Sequence, residues 1–535
     1  MPNKMNRTSF LKLLAAGTSA ISLGYFFTSL KNQKSEFTIA LKHSFPNYKL
    51  GHKLWKTLIL PNNETFKTKT VIIGAGISGL SAAYFLEKQH SEYIILELEK
   101  NAGGNARFEQ NAVGKYPLGA HYLPIPGLHQ QELIDFLSEI EVITGFKNNV
   151  PIYNEEYLCQ APEDRLLING RWQDGLIPHF GLDKNEIAEI EAFLQFAKKL
   201  QFQKGNDGKY AFDLPMQNSS SDEAFLKYDA IALHAFLLEN NWKSNALHWY
   251  LDYCCKDDFG IGIDEISAWV ALHYFAGRKG KAANAESSEV LTWQNGNGFL
   301  MEKLLEKVKR NLKSQSLVYA VNKVNNQFVV KYFDDTTQQC NSIICESVIF
   351  ACPQFVLKHL QTNVHELIAR QKLDIDYTSW LVATCKVKNE LLSTGGYGLA
   401  WDNVKFGAPN LGYVVSNHQE IALEKPFLNL TFYKVFDEKV TRKFLLKQNT
   451  AYFKDIVVNE MKAYHTNFEE VCTDIHTHIW AHAISKPKVN TIKTLRDLQS
   501  ENSNSKIQFA HSDWGGMSVF EEAFYQGLYA ARKLI

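Results

Sequence analysis

The sequence predicts an α/β fold in which a parallel-sheet domain is interleaved with a mixed α+β domain. A β-branched run, Thr70 to Ile73, is followed at once by a glycine-rich turn and a helical pattern. This order is typical of a strand–turn–helix unit in a parallel sheet. Similar patterns recur in the middle and at the end of the chain. A length of 535 residues exceeds one ordinary domain and suits two large interleaved domains.

The composition excludes several classes of protein. Apolar residues make up 45% and charged residues 21% of the chain, a globular balance that excludes a disordered, collagen-like or coiled-coil protein. Lys plus Arg and Asp plus Glu both number 57, so the basic excess of a nucleic-acid binder is missing and we expect no nucleic-acid partner. The aromatic content of 13% suits a large core around an organic ligand.

The cysteines show no metal-binding pattern. No C-x-x-C pair occurs among them, so we predict no metal site and interpret them as buried free thiols. They are Cys159, Cys254, Cys255, Cys340, Cys345, Cys352, Cys385 and Cys472.

Residues 1–34 are predicted to be a signal or membrane anchor. A basic start without acids precedes residues 13–30, which carry no charge. This resembles a signal peptide, but the apolar stretch is also just long enough for a tilted transmembrane helix. Residues 7–12 resemble a twin-arginine export signal with Thr8 at the second arginine. We therefore expect a protein exported to the periplasm or anchored in a membrane, with a linker arm over residues 35–65.

The glycine-rich turn has the spacing of a dinucleotide-binding fingerprint of the Rossmann type. Its residues are Gly74, Ala75, Gly76, Ile77, Ser78 and Gly79. The first glycine permits a tight turn, the second lets backbone N–H groups approach a pyrophosphate at the helix N-terminus, and the third lets helix and strand pack closely. The next strand ends at Glu97, 18 residues beyond Gly79, where a carboxylate can accept hydrogen bonds from ribose hydroxyls.

The stretch after Glu97 decides between NAD and FAD. It contains Gly103-Gly104, then Asn105, and Arg107 two positions later. This resembles the flavin-containing amine oxidase superfamily, which includes monoamine and polyamine oxidases, protoporphyrinogen oxidase and phytoene desaturases and carries Gly-Gly-Arg here. The resemblance implies FAD as the cofactor, with Gly103, Gly104 and Arg107 at its phosphates or flavin.

A second turn lies between Tyr116 and Tyr122. A similar turn in the family brings backbone close to the flavin ring, so the resemblance places Gly119 and Ala120 beside the isoalloxazine. A neutral imidazole at His121 can hydrogen-bond substrate or shuttle a proton. His121 is therefore the candidate catalytic residue, and a structural histidine is the alternative.

Later segments continue the resemblance. A glycine turn, an amphipathic helix and a strand lead to Val321, which the family would place on the adenine side. Asp513 ends a strand before Gly516, Met517 and a last helix. An aspartate there can bind ribityl hydroxyls, and the helix N-terminus can present its amides to flavin N1 and O2.

The resemblance implies two discontinuous domains. The FAD-binding domain would span residues 66–145, 285–360 and 500–535, and the substrate domain residues 146–284 and 361–499. Within the substrate domain, the patterns predict helices over residues 183–200 and 222–255. They predict strands over residues 376–388, 410–417 and 427–436.

We expect an FAD-dependent oxidoreductase that removes a hydride from an amine, such as a polyamine, or from a related small molecule. A desaturase or dehydrogenase of a hydrophobic isoprenoid or porphyrinogen-like substrate is the alternative, favoured by Met517, where several amine oxidases hold an aromatic ring. A non-catalytic flavin-binding assembly protein is the third.

Lys386 and Lys434 are candidates for a lysine near flavin N5, and Trp480 and His482 lie in a strand that would lead toward the flavin. The oligomeric state stays open.

Overall fold

A computed structural model describes residues 39–56, 62–371, 373–501 and 506–535. The predicted signal or anchor over residues 1–34 lies outside the described residues. Within those four ranges, no helix is both long and apolar enough to cross a membrane.

A five-stranded, fully parallel sheet forms the centre of the first domain. Its strands come from three distant parts of the chain, because each parallel neighbour requires a crossover connection. In spatial order they are Leu312–Lys313, Tyr93–Leu96, Thr70–Ile73, Ser347–Phe350 and Ile507–Phe509. The predicted α/β class and its Rossmann-like unit are confirmed.

Two helices pack on this sheet and on each other. One, Ile77–Lys88, follows the glycine-rich turn, and the other, Phe520–Arg532, is the last described helix. Gly527 lies at their crossing, where a Cβ would stand 2.1 Å from the carbonyl oxygen of Ser78. The two backbones therefore meet at a distance that only glycine permits.

A second five-stranded sheet shares an apolar core with the first. Val71 and Ile73 of the parallel sheet pack in one cluster with Val321, Val330 and Ile343 of the second sheet. The strands of the second sheet, in spatial order, are Gln361–Thr362, Ser316–Val324, Gln327–Asp334, Gln339–Cys345 and Asn62–Lys67.

An eight-stranded mixed sheet forms the floor of the second domain. Its spatial order is Ala40–Ser44, Cys472–Trp480, Trp380–Lys388, Phe427–Val435, Tyr413–Val415, Asp402–Lys405, Asp164–Ile168 and Arg171–Asp174. The three strands predicted in this part of the chain thus occur as 380–388, 413–415 and 427–435. The residue boundaries predicted for the two domains stay predictions, and so do the roles assigned to them.

The segment predicted as a linker arm is integrated into the fold where it is described. Ala40–Ser44 pairs in parallel with Cys472–Trp480 at the edge of the eight-stranded sheet. Asn62–Lys67 pairs with Gln339–Cys345 in the second five-stranded sheet. Unpaired backbone groups of edge strands at both sites attract these extended residues.

Helices cover the floor and connect the sheets. The predicted helix over residues 183–200 begins one residue later, after the capping box of Asp183 and Glu186. The region 222–255 holds three short helices instead of one or two. Beyond those named above, the α-helices are Tyr48–Gly51, Gln131–Glu139, Lys184–Gln201, Glu223–Leu226, Leu233–Glu239, Asn245–Phe259, Ala268–Ala276, Gly298–Val308, Gln354–Leu357, His365–Arg370, Arg442–Leu445, Thr450–Met461, Phe468–Val471, Thr491–Glu501 and Ser512–Gly515.

Short hairpins and single helical turns complete the described chain. The two-stranded sheets pair Tyr122–Pro124 with Val290–Thr292, Phe108–Gln110 with Lys115–Pro117, and Ile143–Lys147 with Val150–Tyr153. The 3-10 turns are His52–Trp55, Gly104–Ala106, Met216–Asn218, Lys227–Ala230 and Lys309–Asn311.

All eight cysteines lie in the described part of the chain. Each is a free thiol; seven are buried and Cys352 is partly buried.

Gly527→Ala is expected to lower the free energy of unfolding by about 2 kcal/mol, because the added methyl would press on backbone that cannot rotate away. Chemical denaturation measures this difference. Gly398→Ala is the matched control, since no atom lies within 4 Å of a Cβ at that glycine. Equal stability of the two variants would contradict the packing argument.

Candidate functional site

The three glycines of the fingerprint occupy their positions for different structural reasons. Gly74 has a φ of 104°, and a Cβ on it would lie 2.5 Å from the carbonyl oxygen of Ala351. A Cβ on Gly79 would lie 2.0 Å from the carbonyl oxygen of Gly74. Gly76, by contrast, has a φ of −73°, and the nearest atom to its Cβ is 4.0 Å away on Gly104. Neither strain nor packing requires this glycine, which fits the close approach of a phosphate group to the helix N-terminus.

Glu97 lies buried beneath this turn. One carboxylate oxygen accepts a hydrogen bond from the N–H of Ala75 at 2.5 Å, and the other accepts from the N–H of Glu99 at 2.8 Å. Burial raises the pKa of Glu97, and these two N–H groups act against that increase. Each oxygen keeps a second lone pair, so the carboxylate is held in place and can still accept ribose hydroxyls.

The predicted phosphate loop folds back onto the fingerprint. The N–H of Gly103 donates to the carbonyl oxygen of Ala75 at 2.8 Å. Arg107 donates from Nη1 to Glu99 at 2.9 Å, and its guanidinium carbon lies 4.9 Å from the centre of the Trp480 ring. Its Nε is buried without a hydrogen-bond partner among the described residues. An unpaired buried donor at this place fits a ligand oxygen.

Asp513 already has partners within the protein. One carboxylate oxygen accepts from the N–H of Gln354 at 2.9 Å and from the hydroxyl of Tyr377 at 2.5 Å, and the other lies 2.9 Å from Nδ1 of His511. Burial acts to raise the pKa of Asp513, but the His511 ring and these hydrogen bonds lower it overall. Asp513 therefore carries its charge. It does not end a strand as predicted, because the strand stops at Phe509 and Asp513 lies in the short helix Ser512–Gly515, which Gly516 terminates with a φ of 77°. The Gln354 Oε1 beside it is buried without a partner within the described ranges.

The second predicted turn is fixed by two large side chains. The carbonyl oxygen of Leu118 accepts from Nε1 of Trp480 at 2.5 Å, and that of Gly119 accepts from the hydroxyl of Tyr433 at 3.0 Å. The N–H of Ala120 donates to the carbonyl oxygen of Asn105 at 3.1 Å. This turn therefore joins the phosphate loop to the floor of the second domain.

His121 lies in a cluster of aromatic rings, which we call the chamber. The centre of its ring lies 4.8 Å from that of Tyr433, 5.1 Å from Tyr122 and 5.5 Å from Trp401. Burial lowers the pKa of His121 to about 4. The imidazole is therefore neutral near pH 7 and offers one donor and one acceptor.

Carboxyl groups give this chamber its electrostatic character. Burial and the neighbouring Asp258 raise the pKa of Asp257 to about 8. Burial, Asp257 and Asp164 raise the pKa of Asp402 well above its ordinary value. Burial raises the pKa of Tyr433, and the negative charges of Asp257 and Asp402 raise it further. Both carboxyls therefore lie near the Tyr433 ring, which is beside His121.

Neither Asp257 nor Asp402 forms an ion pair with a residue that the structure describes. Asp258 differs, because it accepts from the Tyr122 hydroxyl at 3.1 Å and pairs with Arg278 at 3.3 Å. Partly buried carboxyls without a paired cation are costly to ionise. Both therefore favour the protonated form near neutral pH, and a nearby cation would favour the charged form.

The other residues singled out by the sequence lie at varied distances from the chamber. Met517 is buried in one apolar cluster with Trp480, Trp401 and Tyr433. Val321 packs on the side of the parallel sheet that holds Ile73.

The two candidate lysines are engaged elsewhere. Lys434 pairs with Glu460 at 2.9 Å and points to the sheet face opposite Tyr433, its neighbour in the strand. Lys386 pairs with Asp474 at 3.5 Å. His482 stacks on Phe355 at 4.0 Å.

Sequence reasoning missed most of the chamber. Tyr122, Asp257, the adjacent pair Trp401 and Asp402, and Tyr433 lie in distant parts of the chain, and no motif joins them. One signal was present, because two consecutive acids, at 257 and 258, end a helix pattern that is otherwise rich in apolar residues. Buried acids in such a pattern are candidates for functional groups.

Comparisons with known proteins agree with this architecture. A family model of NAD(P)-binding Rossmann-like domains matches residues 72–140. A putrescine oxidase solved with putrescine is 15% identical, with a TM-score of 0.62, over 88% of this chain and 99% of that one.

Two further structures have the same fold. Cyclohexylamine oxidase from Brevibacterium oxydans IH-35A is 12% identical, with a TM-score of 0.60, over 87% of this chain and 98% of that one. A fatty acid isomerase from P. acnes that produces CLA is 15% identical, with a TM-score of 0.57, over 86% and 97%. The resemblance to the flavin-containing amine oxidase superfamily is confirmed at the level of the fold.

Asp257→Asn is expected to stabilise the protein increasingly as the pH rises from about 4 to about 8. A raised carboxyl pKa favours the folded state at low pH, and this contribution is lost as the pH rises toward the folded pKa. The stability difference from the wild type should grow by at most about 1.4 kcal/mol per pH unit. Urea unfolding at about pH 5 and about pH 8 measures it. Asp374→Asn, at a side chain that is 98% exposed, controls for the loss of one negative charge, and a difference that stays constant for Asp257→Asn would contradict the burial argument.

Proposed function

We propose that this chain, which has the fold of the flavin-containing amine oxidases, is an FAD-dependent oxidoreductase that removes a hydride from an amine. The glycine-rich turn, Glu97 and the turn at Gly119 together form what we call the cradle. These residues fit the cofactor: Gly76 for the pyrophosphate, Glu97 for the ribose, and the turn at Gly119 for the ring. FAD, when bound, supplies the hydride acceptor. The protein binds and orients the substrate and excludes water.

The observation that carries this proposal is the pair of partly buried carboxyls, Asp257 and Asp402, whose pKa values are raised by desolvation, beside the aromatic rings of the chamber. A protonated amine supplies the missing cation, and its approach lowers the pKa of both carboxyls. The rings of Trp401 and Tyr433 add cation–π attraction. A neutral polyene or porphyrinogen would leave both carboxyls without a partner.

The same groups can prepare the amine for oxidation. Without ligand, Asp257 has a pKa of about 8 and keeps its proton near pH 7. A bound ammonium group lowers this pKa, so that Asp257 becomes charged and can accept a proton from the ammonium group. Neutral His121 can accept or donate a hydrogen bond at the amine nitrogen. Tyr122, held by Asp258, closes one side of the chamber.

A hydrophobic substrate is the second candidate, favoured by the buried Met517 beside Trp480. The fold of the fatty acid isomerase shows that this architecture also occurs in an enzyme named for an apolar substrate. The third candidate, a flavin-binding assembly protein without catalysis, predicts no reduction of the flavin by any of these compounds.

Anaerobic reduction of the bound flavin distinguishes the candidates. Putrescine is expected to bleach the flavin absorbance, which recovers in air, whereas a polyene or porphyrinogen leaves it unchanged. Asp402→Asn should raise the putrescine concentration for half-bleaching by about 10- to 100-fold, because one charge-assisted contact is lost, and Asp374→Asn is the control. Bleaching by the apolar compounds alone would overturn the amine assignment.

Gly76→Ala is expected to abolish FAD binding without unfolding the protein. The nearest protein atom would lie 4.0 Å from its Cβ, an ordinary contact without overlap, so the melting temperature of the cofactor-free protein should change by no more than about 2 °C. Flavin absorbance after reconstitution measures binding. A variant that retains FAD at the wild-type level would contradict the assignment of the pyrophosphate position.

The location of the protein stays a proposal based on its N-terminal sequence. We infer that it is exported to the periplasm or anchored in a membrane through residues 13–30. Cell fractionation of the full chain tests this.

A further inference from the structure

The N-terminal segment carries a chain of hydrogen bonds that ends beside the proposed cofactor cradle. The hydroxyl of Ser44 lies 2.8 Å from Nε2 of His476 and 2.7 Å from Nδ1 of His478. Nδ1 of His476 lies 2.9 Å from the hydroxyl of Tyr116. These four polar groups therefore form one linear series: Tyr116, His476, Ser44 and His478.

The hydrogen atoms in this series can be assigned by counting. Burial lowers the pKa of His476 to about 3, and burial together with Arg107 lowers that of His478 well below its ordinary value. Each ring is neutral and holds one N–H, so four hydrogens serve three hydrogen bonds. Three arrangements exist, because the Ser44 hydroxyl can donate to either histidine or accept from both.

One arrangement satisfies more polar groups than the other two. In it, Tyr116 donates to His476, His476 donates to Ser44, Ser44 donates to His478, and a single N–H remains, at Nε2 of His478. If Ser44 instead accepts from both histidines, its own hydrogen and Nε2 of His478 are unused. The fully reversed direction leaves the Tyr116 hydroxyl hydrogen and Nε2 of His478 unused. Because unpaired buried polar groups are costly, the first arrangement is favoured.

The remaining N–H of His478 has no partner among the described residues. His478 is 2% exposed, and its Nε2 is buried and unpaired. Its ring meets the edge of Trp480, with centres 4.5 Å apart, and Arg107 lies over the same indole. Nε of Arg107 is also buried and unpaired in the described structure. Two donors without acceptors thus flank one tryptophan of the cradle.

The N-terminal segment also reaches the second of these donors. The N–H of Asn47 donates to Glu99 at 2.6 Å, and the other oxygen of Glu99 accepts from Arg107 at 2.9 Å. Residues 44 and 47 therefore position both His478 and Arg107. Among the strands that the structure describes, Ala40–Ser44 has one neighbour, which makes it a candidate for local opening.

We propose that His478 donates a hydrogen bond to an oxygen of bound FAD, that Ser44 fixes the tautomer for this contact, and that docking of residues 40–47 and cofactor binding therefore reinforce each other. The proposal rests on the proposed cofactor. His478 is the binding residue, and Ser44 is a positioning residue that acts through it. By linkage, the cofactor must stabilise the docked strand by the same factor by which the docked strand tightens cofactor binding.

The test uses the full cofactor-free chain, titrated with FAD and followed by flavin fluorescence. His478→Phe keeps the ring packing but removes the donor and should raise the Kd about tenfold. His478→Gln places an amide N–H near the position of Nε2 and should restore most of the affinity. Ser44→Ala should raise the Kd by about threefold, and Ser138→Ala, which removes a hydroxyl bonded within a helix, should leave it unchanged.

Amide hydrogen exchange of residues 40–44 provides the second readout. FAD should slow this exchange about threefold in the wild type and have no effect in Ser44→Ala. Wild-type affinity in both His478→Phe and Ser44→Ala, or exchange that FAD does not alter, would overturn the inference while leaving the cofactor assignment intact. Failure of the wild type itself to bind FAD would instead overturn the proposed function.

Discussion

The close approach of backbone segments around the glycine-rich turn is the constraint on which the site depends. Gly74 lies against Ala351, Gly79 against Gly74, and Gly527 against Ser78, and in each case a Cβ would stand 2.5 Å or less from a carbonyl oxygen. These contacts join the strand Thr70–Ile73, the helix Ile77–Lys88, the strand Ser347–Phe350 and the last helix. Because they come from distant parts of the chain, the cradle exists only when the whole first domain is folded.

The second constraint is electrostatic and lies in the other domain. Desolvation of Asp257 and Asp402 without a described cation lowers the stability of the protein. Tyr433 of the eight-stranded sheet lies beside these carboxyls and donates a hydrogen bond to the turn at Gly119. Such an arrangement is typical of binding sites, where stability is lost in exchange for a ligand that supplies the missing charge. The cofactor turn and the charged chamber therefore share one wall.

The N-terminal strand contacts residues beside the cradle. It lies on the edge of the eight-stranded sheet, yet its polar groups reach His478 and, through Glu99, Arg107. A segment that the sequence presents as a linker thereby acts as a part of the site. Its short length and single neighbouring strand make it the element whose docking is most sensitive to what the cradle binds.

The sequence by itself determined the parallel-sheet unit, the glycine-rich turn and the position of Glu97, because each depends on residues close together in the chain and on backbone geometry that few residues permit. Through resemblance it also predicts flavin contacts for the turn at Gly119 and for Asp513, and these stay predictions. Only the tertiary structure showed Asp257 beside Asp402, or Ser44 beside His478. Such pairs join through sheet register and domain packing, and neither leaves a local pattern in a single sequence.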